Sequence, residues 1–172
     1  PGKELEVETK IKKSIFIAQV RVCKTENEAK DKLKEIAANH KQATHNCYAY
    51  RVGIEKVDAY YSDDGEPAGT AGKPILGAIL RHDITNCLIV VTRYYGGTKL
   101  GVRGLIEAYG NSAGAGLVAS GIVHKRARIP YKIIMPYDMT GHAERLLLTS
   151  DTGPHFYNFT YEADVTLVCE VP

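Results

Sequence analysis

Short apolar runs separated by polar, glycine-rich connections fill the first 120 residues, and their periods predict an α+β chain. Residues 14–22 (SIFIAQVRV) predict a strand, with a shorter one before it over Leu5–Thr9. Thr25-Glu26-Asn27-Glu28 has the form of a capping box and predicts a helix to about His40. Ala29, Leu33, Ile36, Ala37 and His40 fall on one helical stripe. Strands are expected over Asn46–Val52 and Ala59–Ser62. A second helix should carry Pro74 in its first turn, with Ile75, Leu76, Ile79 and Leu80 turned inward.

The run Cys87-Leu88-Ile89-Val90-Val91-Thr92 is apolar throughout and short, which predicts a central strand buried on both faces. A helix from about Val102 to Leu117 follows, with Val102, Leu105, Ile106, Tyr109 and Ala113 inward. Gly110, Gly114 and Gly116 lower its helix propensity, so close packing is their expected reason. Beyond residue 128 the texture changes. Ile129–Met135 reads as a strand, Thr140–Thr149 as a helix with Leu146 and Leu147, and His155–Tyr161 and Val165–Val171 as paired strands. Val165, Leu167, Cys169 and Val171 share a face. This β-α-β-β order is the first two-thirds of a ferredoxin-like βαββαβ unit, so that unit is expected to be incomplete at residue 172. The division falls near 126–130, giving domains 1–127 and 128–172.

Composition narrows the class. Of 172 residues 44% are hydrophobic and 24% charged, as in a folded globular protein. No apolar run is long enough to cross a bilayer, so no membrane partner is expected, and the N-terminal PGKELEVETKIKK has no apolar signal core. Pro1 is not an initiator, so the first residues are expected to have been trimmed or replaced. The four cysteines include no CxxC pair, and three lie in apolar or alternating runs. They are expected to be reduced core residues of a cytoplasmic protein. The net charge of +2 hides an asymmetry: residues 1–128 hold 20 Lys/Arg against 14 Asp/Glu, and residues 129–172 hold 2 against 6. A mildly basic body is compatible with nucleic acid or the ribosome as partner.

Two stretches could carry chemistry. Arg93-Tyr94-Tyr95-Gly96-Gly97-Thr98-Lys99-Leu100-Gly101 sets two cations and a flexible backbone between a buried strand and a helix N-terminus, where phosphate or carboxylate is favoured. Its spacing is neither a Walker loop nor GxGxxG, and no cofactor is expected. The bland alternative is a tight strand-to-helix turn. Asp63-Asp64-Gly65-Glu66 crowds three carboxylates into four residues, enough for a divalent metal or acid/base work, although such loops are usually solvated or cap helices. Gly69-Thr70-Ala71-Gly72 with Lys73 is a second candidate anion-facing turn. His45 and Cys47 could form a nucleophile pair, but residues two apart on a strand touch poorly. Tyr94, Tyr95, Tyr50 and Tyr60 are candidates for base stacking.

Four segments carry a family resemblance: Ser14-x-Phe16-Ile17-Ala18; Ala43-x-His45-x-Cys47-x-Ala49-Tyr50-Arg51; Ser62-Asp63-Asp64-Gly65-Glu66-Pro67-x-Gly69-Thr70-Ala71-Gly72-x-Pro74; and Val90-Val91-Thr92-Arg93-Tyr94-Tyr95-Gly96-Gly97-x-Lys99-Leu100-Gly101. In this order over residues 12–118 they closely resemble the IMPACT family and its bacterial YigZ-like members. The resemblance implies a first domain of the ribosomal protein S5 domain 2-like fold, a sheet backed by two helices. It implies a ferredoxin-like second domain similar to the C-terminal domain of elongation factor G. In eukaryotic relatives it implies translational control through an additional partner-binding domain that this sequence lacks. For bacterial-type members it implies RNA, ribosome, translation-factor or other protein partners. The anion- or nucleic-acid-binding set is then Arg93, Tyr94, Tyr95, Gly96, Gly97, Lys99, Gly101, Arg103, Thr70 and Lys73, with His45, Asp63, Asp64 and Glu66 as an acidic and polar set. No catalytic residue or metal ligand is assigned. The competing reading is a metal-dependent hydrolase or phosphoryl-transfer enzyme using Asp63–Glu66 with Arg93 and Lys99. Where the family reads Gly-Gly-Leu-Val-Arg-Ala-Tyr, this chain has Arg103-Gly104-Leu105-Ile106-Glu107-Ala108-Tyr109, which moves the basic residue by one helical turn.

Overall fold

In the computed structural model the chain forms two compact units, residues 1–123 and 124–172, and the description below covers residues 1–125, 128–149 and 156–171. The first unit holds strands β1 (Leu5–Ile11), β2 (Ser14–Val22), β3 (His45–Val52), β4 (Asp58–Ser62) and β5 (Cys87–Tyr94) in one antiparallel sheet of order β1-β2-β5-β3-β4. β5 is central and buried from Cys87 to Arg93, as its unbroken apolar run predicts.

The sheet is buried on both faces because helices pack against each. Helix α2 (Gly72–Arg81) and helix α3 (Gly101–Ser120) join one core with Phe16, Ala18, Val20, Cys47, Ala49, Ile89 and Val91. Helix α1 (Glu26–Asn39) covers the other face through Ala29 and Ile36 with Tyr50, Val52, Leu88 and Val90. The sheet is therefore backed by two helices on one side and a third opposite, and alternation along each strand feeds two cores. At the start of α1, Thr25 Oγ1 accepts from the Glu28 N–H, while the Glu28 carboxylate accepts from Lys24 N–H, one residue before the ideal box partner.

Three expected core positions lie outside. Leu80 is exposed because α2 turns Ile75, Ala78 and Ile79 inward and the next residue around the helix faces solvent. Val102 and Ile106 are exposed at the start of α3, whose inward stripe is Leu105, Ala108, Tyr109, Ser112, Ala113, Gly116 and Leu117. Among the helix glycines, close packing applies to Gly116, where an added Cβ would sit 3.0 Å from Val20 Cγ2 and 3.3 Å from Ala18 Cβ. Around Gly114 the space is open. Cys23, Cys47, Cys87 and Cys169 are all buried and free.

The second unit has strands β6 (Ile129–Met135), β7 (Phe156–Tyr161) and β8 (Val165–Val171) in the order β6-β8-β7, with β8 antiparallel to both neighbours. A 3₁₀ turn (Tyr137–Met139) leads into helix α4 (Thr140–Thr149). Met135, Val165, Leu167 and Cys169 form its core, with Leu147 and Phe159 against them, whereas Leu146 is exposed. The expected start of β7 at His155 and the Val171 side chain lie outside the described residues.

Candidate functional site

At one end of the first sheet, β5 finishes, β2 and β3 begin, and the β1–β2 hairpin turns. Lys12 and Lys13 form its two-residue turn, both with left-handed φ (43° and 69°), a conformation that disfavours lysine. The glycine-rich loop after β5 lies directly against this turn. A Cβ on Gly96 would fall 2.0 Å from Lys13 O, and Gly96 N–H donates to Ser14 Oγ at 3.1 Å. Tyr95 N–H donates to Thr44 Oγ1 at 3.0 Å, tying the same loop to the connection before β3. Tyr94 is held by its hydroxyl, 2.8 Å from His40 Nδ1.

The acidic loop after β4 is held by its own carboxylates. Asp63 accepts from the N–H groups of Gly69 (2.8 Å), Ala71 (2.9 Å) and Gly72 (2.8 Å). The anion held by the Gly69–Gly72 turn is thus supplied by the chain itself, which also caps α2, while Thr70 is buried with its hydroxyl bonded to Pro67 O. Partial burial pulls the Asp63 pKa up, but the three N–H bonds together outweigh it and leave it below the usual range. Asp64 accepts from Asn46 N–H at 2.6 Å, and the left-handed turn at Asp64 and Gly65 sends Glu66 back toward the core.

There the two loops meet. Glu66 Oε1 accepts from Arg93 Nη1 at 2.5 Å and from the Tyr109 hydroxyl at 2.8 Å. The Arg93 and Glu66 side chains are 6% and 4% exposed, so this is a buried ion pair. The Arg93 Cζ lies 5.5 Å from the Phe16 ring centroid and 5.4 Å from that of Tyr95. Tyr109 is fully buried edge-on to Phe16, and burial first, with Cys47 and Glu66 beside it, drives its pKa far upward. His45 donates from Nδ1 to Asp64 O at 2.7 Å, leaving Nε2 4.0 Å from Glu66 Oε1.

This geometry corrects two candidate chemistries. The metal-dependent site loses its ligands to internal bonds: Asp63 to three N–H groups, Asp64 to Asn46, and Glu66 to Arg93 and Tyr109. Cys47 is no nucleophile. It is buried, donates to Asp63 O at 2.9 Å, and burial pushes its thiol up to about 12. For the anion-binding set the outcome is mixed. Arg93 has an internal carboxylate partner, Gly96 is pressed against the hairpin, and Arg103 bonds Glu107 at 3.0 Å, so the relocated arginine arrives with its own counter-charge. Tyr95, Gly97, Lys99, Gly101 and Lys73 are exposed. Tyr50 is buried, stacked on the exposed Tyr60 and bonded to Glu26.

A cleft of about 400 Å³ opens at the N-terminus of α3, bringing Arg93, Tyr95, Lys99 and Gly101 together with Glu66 and Pro67. Leu100, Val102 and Leu105 complete its wall. The sequence pattern assigns these last three to the core or to no role, and their signal is the apolar residues just after a loop already suspected of binding. It also passes over Lys12 and Lys13, which lie in the gap between the runs expected over Leu5–Thr9 and residues 14–22 and become a two-residue turn because β1 continues to Ile11. Among the described residues no group of three or more His, Cys, Asp or Glu is placed to hold a metal.

Residues 12–117 match the family described as the Impact N-terminal domain. The chain is 44% identical over 121 residues to IMPACT family member YvyE of Bacillus subtilis (strain 168), covering 70% of this chain and 56% of that protein. It is 34% identical to IMPACT family member YigZ of Escherichia coli (strain K12) over 100% of this chain and 84% of the relative. The crystal structure of a hypothetical protein superposes with a TM-score of 0.74 at 34% identity, over 100% of this chain and 84% of that one. That match runs the length of this chain and agrees with its two-unit α+β architecture.

Proposed function

We propose, from the premise that this chain belongs to the IMPACT family, that it is a nucleic-acid- or ribosome-associated binding protein linked to translation or its regulation. We read residues 1–127 as the S5 domain 2-like domain of the family. Residues 128–172 are read as the β-α-β-β part of a ferredoxin-like domain, which the β6-β8-β7 order supports.

The observation that carries the functional reading is the sheet end where the Lys12–Lys13 turn lies against the Tyr95–Gly101 loop. Lys12, Lys13, Lys41 and Lys99 emerge from turns and connections at this end and Lys73 from the first turn of α2; all are exposed, and none makes an ion pair with a described residue. Of the neighbouring carboxylates Glu66 is paired with Arg93, and Asp63 and Asp64, held by backbone N–H groups, make no ion pair with these lysines, so the five exposed cations outnumber the two remaining carboxylates. Left-handed backbone at two consecutive lysines costs roughly 1–2 kcal/mol each, and a strained, cation-bearing turn is what a phosphate-contacting surface would retain. Partners of this reading are RNA, the ribosome or a translation factor carried with it, in the cytoplasm.

Co-sedimentation of the full chain with ribosomes on sucrose gradients tests this. The wild type is expected in the ribosomal fractions at low salt, and the Lys12→Ala/Lys13→Ala/Lys99→Ala variant at the top of the gradient. A wild type that stays at the top, or a variant that sediments like it, overturns the proposal.

A further inference from the structure

The cleft at the start of α3 has a chemistry distinct from the lysine surface around it. Its walls are Pro67, Tyr95, Leu100, Val102 and Leu105, and Leu105 is nearly fully buried at the base. At about 400 Å³ it falls in the size range of small-molecule sites, roughly 300–1,000 Å³. Arg93, one of its lining residues, has a buried Nε that makes no hydrogen bond, although Nη1 of the same guanidinium is bound to Glu66 and the side chain is 6% exposed. An unpaired, buried N–H carries a desolvation cost that an acceptor in the cleft would remove.

The same wall includes Gly101 and Val102 in the first turn of α3, a 20-residue helix. Leu100 stands at its N-cap position with no side-chain cap bond, and its first turn contains no acidic residue. The first N–H groups of a helix need an outside acceptor, and its dipole adds about half a positive charge there. Lys99 lies at the rim.

We infer that this cleft binds a small organic monocarboxylate with an apolar or aromatic body, the carboxylate meeting Arg93 Nε and the N-terminus of α3 and the body lying on Tyr95, Leu100, Val102 and Leu105. The charge balance selects the head group. Glu66 cancels Arg93 within the cleft, leaving Lys99 and the roughly half charge of the helix terminus, which suffice for one negative charge and fall short of a dianionic phosphate. The apolar walls select the body, since a bare inorganic anion would leave them wet. A free carboxylic acid and the C-terminal carboxylate of a peptide share this chemistry.

The test is a ¹H–¹⁵N NMR titration of the full chain with 3-phenylpropanoate, 3-phenylpropanamide, inorganic phosphate and the acid N-acetyl-Ala-Ala-Phe, each to millimolar concentration. The carboxylates are expected to shift the Gly101 and Val102 amides and the Arg93 Nε–H resonance, with the amide and phosphate binding about tenfold more weakly or not at all. Tighter binding of the tripeptide assigns the natural ligand to chain termini and tighter binding of the single acid to free carboxylates, and both support the site. Val102→Glu, at a position 61% exposed, sets a like charge at the mouth and should weaken binding about tenfold without disturbing the core. Lys12→Ala/Lys13→Ala should leave carboxylate binding unchanged, which separates this inference from the nucleic-acid reading. No shift at Gly101 and Val102, equal binding of the amide, or a Val102→Glu variant that binds like wild type would overturn it.

Discussion

Gly96→Ala isolates the contact on which the architecture of the site depends. Gly96 lacks a left-handed φ, so its requirement for glycine is one of space alone. The added Cβ would lie 2.0 Å from Lys13 O, 2.1 Å from Lys13 C and 2.5 Å from Ser14 N. All three are backbone atoms that no rotamer change moves, so the hairpin turn must retreat by more than an ångström. Overpacking of this kind costs about 1–3 kcal/mol. Losing the Gly96 N–H bond to Ser14 Oγ adds about 0.5–1.5 kcal/mol. The expected destabilisation is therefore about 1.5–4.5 kcal/mol. Gly97→Ala is the control: its Cβ meets nothing within 4 Å, but φ is +84°, so the cost is conformational alone, about 1–2 kcal/mol. Urea unfolding of the full chain, followed by tyrosine fluorescence, reads both. A Gly96→Ala variant within about 0.5 kcal/mol of wild type, or a Gly97→Ala variant equally damaged, would refute the packing of loop on hairpin.

Other consequences follow from the buried network and the acidic loop. Glu66→Gln leaves the Arg93 charge buried without a counter-ion and should cost about 3–5 kcal/mol; Tyr109→Phe, which keeps the edge contact with Phe16, should cost about 1–2 kcal/mol by the same unfolding assay. Cys47, pushed by burial to about 12, should resist iodoacetamide in the native protein at pH 8 and react only in denaturant, as peptide mass spectrometry would register. The folded pKa of Asp63 lies below its unfolded value. Its contribution is therefore present above the unfolded pKa, near 4, and is lost as pH falls through the folded one. Asp63→Asn should accordingly lower stability at pH 7 and flatten its decline below pH 4, measured as urea midpoints across that range.

Apart from β4, which is exposed from Asp58 to Tyr61, the strands and helices of the first unit were legible because each buries a face with a clear period. β5 buried on both sides and β2 over Ser14–Val22 are local patterns. The placement of α1 opposite α2 and α3 was not legible, because an amphipathic stripe shows that a helix packs but not on which side of a sheet. The site was legible as two loops and illegible as a network. Glu66 and Arg93 are 27 residues apart and Glu66 and Tyr109 are 43 apart, so no spacing announces that they share a buried ion pair. Asp63 reads as a ligand in sequence because a carboxylate that binds metal and one that binds the N–H groups of its own loop have the same local pattern. Val102 and Ile106 obey the inward period of α3 yet lie exposed at its start, and Val102 lines the cleft.

The central claim is that the lysines at the end of the first sheet form a phosphate-contacting surface, and the salt dependence of RNA binding tests it most directly. Fluorescence anisotropy of a labelled single-stranded RNA, titrated with the full chain between 50 and 200 mM salt, gives the slope of log Kobs against log salt. Each phosphate contact contributes about −0.7 to that slope for a single strand. The account predicts a wild-type slope that Lys12→Ala/Lys13→Ala/Lys99→Ala makes about two units shallower. An identical slope for the two proteins, or no salt-dependent binding by the wild type, would contradict it.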